Sequence, residues 1–420
     1  MTEDPQGATA MPRPALPSRG RPRLGRAAAA LVPLVLLAVL GAGTPPAPAP
    51  VSAFAFAGER RPAGAGDPLR RGLEELVARD GFPAGLAAVR GAGGGPTRHY
   101  TAGVADLETG AGVPVDGRVR IASNSKSFLA TVVLQLVAEG RISLDSPVET
   151  HLPGLLRGDG VDGREITIRR LLQHTSGLPN YTDHLDPDWF ASRNVYREPR
   201  ELLDLALEHP AVFRPGARWG YSNTNYVVAG LIVQKVTGRP VREEITRRII
   251  EPLGLRRTYV PVAGDRSVRG PHPRGYHPSG PEERLRDITE LDPSWGWATG
   301  DMISTPGDLN RFFSALADGR LLAPEQLRQM RTTVDASPLG PGVRYGLGLV
   351  STPLSCGGVS WGHGGDIPGY KTVSGAADDG RAVTLALTVI RPRGHPAVAA
   401  ANAYYDAAFC GPAASARAAE

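Results

Sequence analysis

The sequence predicts an α+β fold: an antiparallel sheet built from both chain termini, flanked by helices, with an inserted and mostly helical subdomain. Three observations predict it. Strand-like stretches occupy residues 86–104 and return from residue 346 onward; helical patterns precede the first group and follow the last; and roughly 140–290 is dominated by helical patterns. Strands at both ends, separated by helices, join most simply in one sheet with the middle as an insertion.

Residues 1–57 stand apart from that fold. Arg13, Arg19, Arg21, Arg23 and Arg26 lead into the apolar run 27–40, then a Pro/Ala-rich stretch with small-residue sites near Ala53 and Ala55-Phe56-Ala57. Basic, apolar and small-residue zones in that order form a secretory signal pattern, with cleavage expected within residues 43–57. The run is short for a membrane span. The expected location is secreted or extracellular, with envelope association if the segment stays uncleaved and no stable membrane insertion once it is removed. No cysteine follows the run, which argues against a lipid anchor.

Those residues hold five arginines and two acids (Glu3, Asp4), a net +3 of the formal +5, so the exported part carries +2. Without a basic run interleaved with aromatics, no nucleic-acid partner is expected. About 360 residues remain, enough for a substantial core. The expected catalytic domain runs over 58–411, with 412–420 as a tail. No obvious extra interface segment is present, so a monomer is expected.

The elements follow in order. Residues 68–80 place Leu69, Leu73, Leu76 and Val77 on one side of a helix. Short strands at 86–89 and 99–104 flank the glycine-rich turn 91–95. A helix beginning at Ser123 is apolar on nearly all sides over 128–138, apart from Thr131 and Gln135, which predicts a path through the core; Gly140 ends it. The middle region is broken by loops at 180–188 and 261–280. Residues 371–376 and 381–390, joined by Asp378-Asp379-Gly380, read as a hairpin, and 397–409 as a last helix. Cys356 and Cys410 form an even pair, which in an exported protein reads as one disulfide between a strand region and that helix. Two buried thiols are the alternative.

Lysine usage points to the chemistry. Of 47 basic residues only Lys126, Lys235 and Lys371 are lysines. Arginine keeps its proton near neutral pH, whereas a buried lysine releases it. Lys126 stands three residues after Ser123, on the same helix face and next to the electropositive helix start. Burial and that position favour a neutral amine able to take the Ser123 proton. The Ser123 N–H would supply half of an oxyanion hole. Read alone, the pair is equally a helix cap with a first-turn lysine.

Two further clusters meet the same test. Tyr221-Ser222-Asn223 precedes an apolar helix closed by Gly238; Tyr221 suits proton transfer and Asn223 a hydrogen bond to a substrate amide. Alternatively, Asn223 only caps that helix and Tyr221 staples it. His363-Gly364-Gly365 lies in a glycine-rich strand that another backbone can approach, where the Asp366 N–H would complete the oxyanion hole. An incidental histidine in a glycine-rich loop is the plainer alternative.

Taken together and in this order, Ser123-Asn124-Ser125-Lys126, Tyr221-Ser222-Asn223 and His363-Gly364-Gly365 resemble the three motifs of the penicillin-recognising serine hydrolases. The likeness is to the branch holding class C β-lactamases, secreted D-alanyl-D-alanine carboxypeptidases and related esterases. It extends through Gln173-His-Thr-Ser-Gly-Leu178, Phe213-Arg-Pro-Gly216, Ile303-Ser-Thr-Pro-Gly-Asp-Leu309, Tyr345-Gly-Leu-Gly-Leu349 and Leu354-Ser-Cys-Gly357, covering most of 65–410. The resemblance implies a β-lactamase/transpeptidase-like fold and no cofactor or metal. Ser123 would be the acylated nucleophile, Lys126 its base and Tyr221 the proton relay. Asn223 would hold the acyl side chain, His363 support the proton network, and Trp295 line the cleft. Together with Gly365 and Asp366, these form the expected site. Small peptide or peptidoglycan substrates and β-lactams are the implied partners, with a D-alanyl-D-alanine carboxypeptidase as the nearest match.

Two positions depart from that pattern. Val350 stands where such carboxypeptidases can carry an arginine for the substrate carboxylate, and Gly364 where many relatives have threonine or serine. Both changes shift the expectation toward amides or esters without a free carboxylate. β-Lactamase and esterase activities are the alternatives on the same fold; a non-catalytic peptidoglycan binder would not need the full motif set. Gly358-Val-Ser-Trp-Gly362 also fits G-x-S-x-G, but the glycines and Pro368 after Ser360 cannot form the helix that motif requires. His272 and His277 sit in a proline-rich loop without a metal-binding pattern.

Overall fold

The computed structural model describes residues 66–279 and 284–411; the signal-like segment 1–57 and the tail 412–420 lie outside the described residues. Helix α1 (Pro68–Ala78) starts with Asp67 as its cap, accepting from the Leu69 N–H. Strands β1 (Ala84–Arg90) and β2 (Thr97–Gly103) follow. The nucleophile candidate precedes α2 (Ser125–Ala138), and the second motif precedes α3 (Thr224–Thr237). After α4 (Pro306–Ala317) come β3 (Val334–Asp335), β4 (Arg344–Tyr345), β5 (Val350–Pro353), β6 (Val359–Ile367), β7 (Tyr370–Ala376) and β8 (Ala382–Leu387), then α5 (Pro396–Cys410).

These strands form one eight-stranded antiparallel sheet in the order β2-β1-β8-β7-β6-β5-β4-β3. The first hairpin therefore pairs with the last strand, Gly85 opposite Leu387 and Arg90 opposite Ala382. Both faces of the sheet are covered. On one, Leu69, Leu73 and Leu76 of α1 pack with Tyr404, Tyr405 and Phe409 of α5. On the other, Asn310 of α4 donates to the Ala88 carbonyl at 2.9 Å and accepts from Thr384 at 2.8 Å. Strand β8 is buried along its whole length, which explains why its residues are apolar apart from Thr384, whose hydroxyl is satisfied by Asn310.

Helices α2 and α3 lack a polar face because they run through the larger core. Every residue from Ser125 to Leu134 of α2 is buried, and Phe128 stacks on Phe312 with ring centroids 3.7 Å apart. Cys356, in the β5–β6 turn, and Cys410, the last residue of α5, form a disulfide.

The middle region departs from expectation in two places, one of them a short hairpin that pairs Arg157–Gly158 with Val161–Asp162. The stretch 261–280, read as a loop, contains half of a hairpin, Tyr276–Ser279 paired with Arg284–Asp287. Apart from Leu285 its residues are polar, aromatic or proline, and they carry no alternating apolar signal. It is held instead by the Tyr276 N–H donating to the Thr388 carbonyl, beside β8. No helix among the described residues is long and apolar enough to cross a membrane.

Candidate active site

A single helical turn, Ala122–Asn124, leads into α2 and carries Ser123. Its first residue, Ala122, has φ 47°, a left-handed conformation unusual for alanine. His174 and Ala298, both at φ 58°, share it, so three of the four such non-glycine residues among the described ones surround this site. Each costs about 1–3 kcal/mol and persists only where the surroundings over-determine it.

Lys126 lies one turn along α2 and is fully buried. Its Nζ stands 3.0 Å from Ser123 Oγ, 2.7 Å from Asn223 Oδ1 and 2.7 Å from the Thr299 carbonyl oxygen. Burial holds the amine well below the usual lysine range, with the charge of Asp301 acting the other way. A neutral amine fits all three contacts: two N–H groups donate to Asn223 and Thr299, and the lone pair faces the Ser123 hydroxyl.

Tyr221 donates its phenol O–H to Ser123 Oγ at 2.8 Å. Burial raises that phenol, so it remains protonated at neutral pH. Asn223 heads α3 without capping it. Its Nδ2 donates to Thr182 at 3.1 Å, and its backbone N–H donates to Asn180 Oδ1 at 2.9 Å. The predicted loop 180–188 thus supports the second motif. The cap and staple alternatives do not describe this arrangement.

His363 sits on β6 with both ring nitrogens engaged away from Ser123. Nε2 is 2.9 Å from Tyr345 Oη, and Nδ1 faces the Gly364 carbonyl. Burial first, and then the Lys126 charge, push it down to about 3, so it is neutral at pH 7. It borders Tyr221 only through ring packing, at 6.5 Å between centroids. Its link to the proton network is therefore indirect.

Gly365 meets the nucleophile turn closely: a Cβ there would stand 2.3 Å from the Ile121 carbonyl oxygen. That contact requires glycine. The neighbouring Asp366 side chain pairs with Lys371 at 2.9 Å and lines a cleft of about 550 Å³. Trp295 lines the same cleft with Trp189, Asn223, Pro278 and Ile390, and the two indoles lie 4.8 Å apart. An added Cβ on Gly364 would meet only the Thr372 carbonyl, at 3.8 Å, so the missing hydroxyl there reflects chemistry and not lack of room. Val350 opens β5 opposite Gly362. Ser360 is buried within β6, contacted by Tyr405, with no strand-to-helix elbow.

Sequence reasoning missed four contributors. Thr299 accepts from Lys126, and Asp301 is buried beside it. Trp189 completes the aromatic wall. His174 lies under Tyr221 at 4.2 Å between ring centroids, its Nδ1 facing Ser222 N and Asn225 Nδ2. His174 belongs to a recognised segment, but no local pattern announces its role.

The family model described as Beta-lactamase matches residues 69–408. Penicillin-binding protein 4* of Bacillus subtilis is 27% identical over 293 residues, covering 67% of this chain and 62% of that protein. The chain thus spans less than two thirds of the length of the first curated relatives it matches. A D-stereospecific amidohydrolase from Streptomyces sp. superposes with TM-score 0.74 at 40% identity, covering 82% of this chain and 98% of that one. The D-amino acid amidase of Ochrobactrum anthropi SV3 gives 0.69 at 28% identity, covering 84% and 97%. The penicillin-binding protein homologue from Pyrococcus abyssi, 26% identical with TM-score 0.69, covering 81% of this chain and 75% of that one, is octameric, so these relatives lend no support to the monomer expectation. With a matching model across most of its length, an eight-stranded sheet flanked by helices and the three motifs brought together, the chain belongs to the beta-lactamase family of penicillin-recognising serine hydrolases.

Proposed function

We propose that this protein is an exported serine amidohydrolase that acts on D-aminoacyl amides and related D-alanyl peptides through an acyl-enzyme on Ser123. The observation that carries the reading is Ser123 Oγ held between Lys126 Nζ at 3.0 Å and Tyr221 Oη at 2.8 Å. Neutral Lys126 takes the serine proton as Oγ adds to the carbonyl carbon. The resulting oxyanion is assigned to the Ser123 and Asp366 backbone N–H groups. Tyr221 gives its proton to the departing nitrogen and is reprotonated from the Lys126 ammonium. Water then enters where the amine left, and the same groups run in reverse to release the acid.

The amide preference rests on Val350 and Gly364, two positions that carry neither a cation nor a hydroxyl for a terminal carboxylate. The amidohydrolase and amidase relatives support it. Carboxypeptidase action on D-alanyl-D-alanine and acylation by β-lactams are the second reading, favoured by the complete motif set and the penicillin-binding relatives. The paired tryptophans of the cleft favour apolar or aromatic acyl side chains. Export is proposed from the arrangement of residues 1–57.

The test compares ammonia release from D- and L-phenylalanine amide with D-alanine release from a D-alanyl-D-alanine peptide, alongside covalent labelling by a fluorescent penicillin. D-Selective ammonia release that is lost in Ser123→Ala supports the proposal. D-Alanine release exceeding amide hydrolysis moves the assignment to the carboxypeptidase, and labelling that survives Ser123→Ala overturns the serine assignment.

A further inference from the structure

The Tyr221 phenol makes a single hydrogen bond, the 2.8 Å donation to Ser123 Oγ. That bond yields whenever the phenol gives its proton elsewhere, so other contacts must keep the ring in place. Ring packing supplies one of them. Trp219 and His363 lie 6.3 and 6.5 Å away between centroids, whereas His174 lies at 4.2 Å, tilted by 34°.

His174 also grips the backbone on both sides of that ring. Its carbonyl accepts from the Gly220 N–H at 2.9 Å, and its Nδ1 accepts from the Ser222 N–H at 3.3 Å. A second donor, Asn225 Nδ2, reaches Nδ1 at 3.0 Å. The orientation of that amide is fixed in turn: Ser176 Oγ receives the Leu178 N–H and gives its own O–H to Asn225 Oδ1. Two donors at Nδ1 leave the ring proton on Nε2. Nε2 is buried and has no hydrogen-bond partner among the described residues. The whole residue is buried and holds φ 58°. A left-handed histidine with an unpaired buried N–H is costly on both counts, and strain of this kind gathers at functional sites.

We propose that His174 is the positioning residue for Tyr221: its carbonyl, its Nδ1 and its ring face together hold residues 220–222 so that the phenol stays aimed at Ser123 and at the departing atom. The inference rests on Tyr221 as the proton donor of the reading above. In that step the Tyr221 O–H bond breaks, an N–H bond forms on the leaving nitrogen, and the C–N electron pair goes to that nitrogen. His174 exchanges no proton. It must remain an acceptor at Nδ1; burial first, then the charges of Lys126 and His363, keep it neutral. Tyr345 and Tyr226, at 4.9 and 5.3 Å between ring centroids, pack against the same imidazole and restrict its movement.

The test separates a leaving group that needs an acid from one that does not. His174→Asn keeps an oxygen acceptor near the Nδ1 position, suits the left-handed backbone and deletes the stacked ring. kcat/KM is compared for D-phenylalanine amide and the D-phenylalanine nitrophenyl ester, which share one acyl half. Nitrophenolate leaves without a proton, and the amide nitrogen does not. The amide value is expected to fall about tenfold or more, because small displacements of a reacting group are costly, and the ester value to change less than about twofold. In a Tyr221→Phe background the same substitution is expected to have no further effect on the amide. Equal losses on amide and ester overturn the proposal, as do single effects that simply multiply in the double variant. If the wild type hydrolyses no amide, the amidohydrolase reading fails by itself. Penicillin acylation, whose leaving atom is also nitrogen, then replaces the amide in the comparison. If His174→Asn does not fold, wild-type protein labelled with 15N-histidine decides. The His174 ring, identified by its nuclear Overhauser contacts with Tyr221, is expected to stay neutral with its proton on Nε2 between about pH 5 and pH 8. A proton on Nδ1 overturns the proposal.

Discussion

Asn223 stands at the head of a helix and gives its side chain to Lys126 instead, accepting from Nζ at 2.7 Å. A residue type that favours helix caps has been taken out of that role, and its backbone N–H is satisfied by Asn180. The contact ties the second motif to the first and orients the amine, whose remaining partners are Ser123 and Thr299.

Lys126→Arg is expected to lower the acylation rate by about 10³-fold or more, because guanidinium keeps its proton and cannot take that of Ser123. Tyr221→Phe is expected to lower turnover by about 10²-fold or more, since the leaving nitrogen loses its acid. Stopped-flow acylation with a chromogenic β-lactam measures both.

Gly365→Ala is expected to disrupt the site without touching any reacting group. Its Cβ would need to stand 2.3 Å from the Ile121 carbonyl oxygen, so the nucleophile turn and β6 must separate. A loss of about 1–3 kcal/mol in stability and a fall in kcat are expected, read by thermal melting and amide hydrolysis. Wild-type activity in this variant would contradict the close approach.

Gly364→Thr has room for its side chain and restores a hydroxyl on the wall beside the site. Acylation by penicillins and cleavage of carboxylate-ending peptides should rise several-fold relative to amide hydrolysis, by about the worth of one hydrogen bond to a charged group. Comparing kcat/KM for the two substrate types checks it.

Trp189→Ala opens the aromatic wall against Trp295. The KM for an aromatic D-amide is expected to rise roughly tenfold, while that for D-alanine amide changes little. Equal changes in both would remove the cleft from side-chain recognition.

Acid sensitivity follows from the buried histidines. His363 has a folded-state value near 3 against an ordinary value of 6.5, so between those limits the unfolded chain binds more protons than the folded one. Its stabilising contribution is full above about pH 6.5 and is lost progressively down to about pH 3, at no more than about 1.4 kcal/mol per pH unit. His174 is shifted in the same direction. Urea unfolding at several pH values should show a shallower acid slope in His363→Gln.

Elements with a local signature were legible. Helix α1 has its apolar stripe, α2 and α3 are apolar all round, and the β7–β8 hairpin has its Asp-Gly turn. The hairpin that begins at Tyr276 was not legible, because its pairing depends on Thr388, distant in sequence. Ser123, Lys126, Tyr221 and Asn223 were identified from their motifs and converge as expected. His363 was identified too, but its hydrogen bond runs to Tyr345.

By itself, the sequence determined which residue types meet at the site and their order along the chain. It also marked Lys126, through the near absence of lysine elsewhere. Only the tertiary structure decided the charge state of that amine. Neutrality comes from complete burial, in a pocket whose oxygen partners on Asn223 and Thr299 lie 97 and 173 residues away. No local pattern encodes such distances, because desolvation and long-range contacts arise only once the helices and sheet have closed around the lysine.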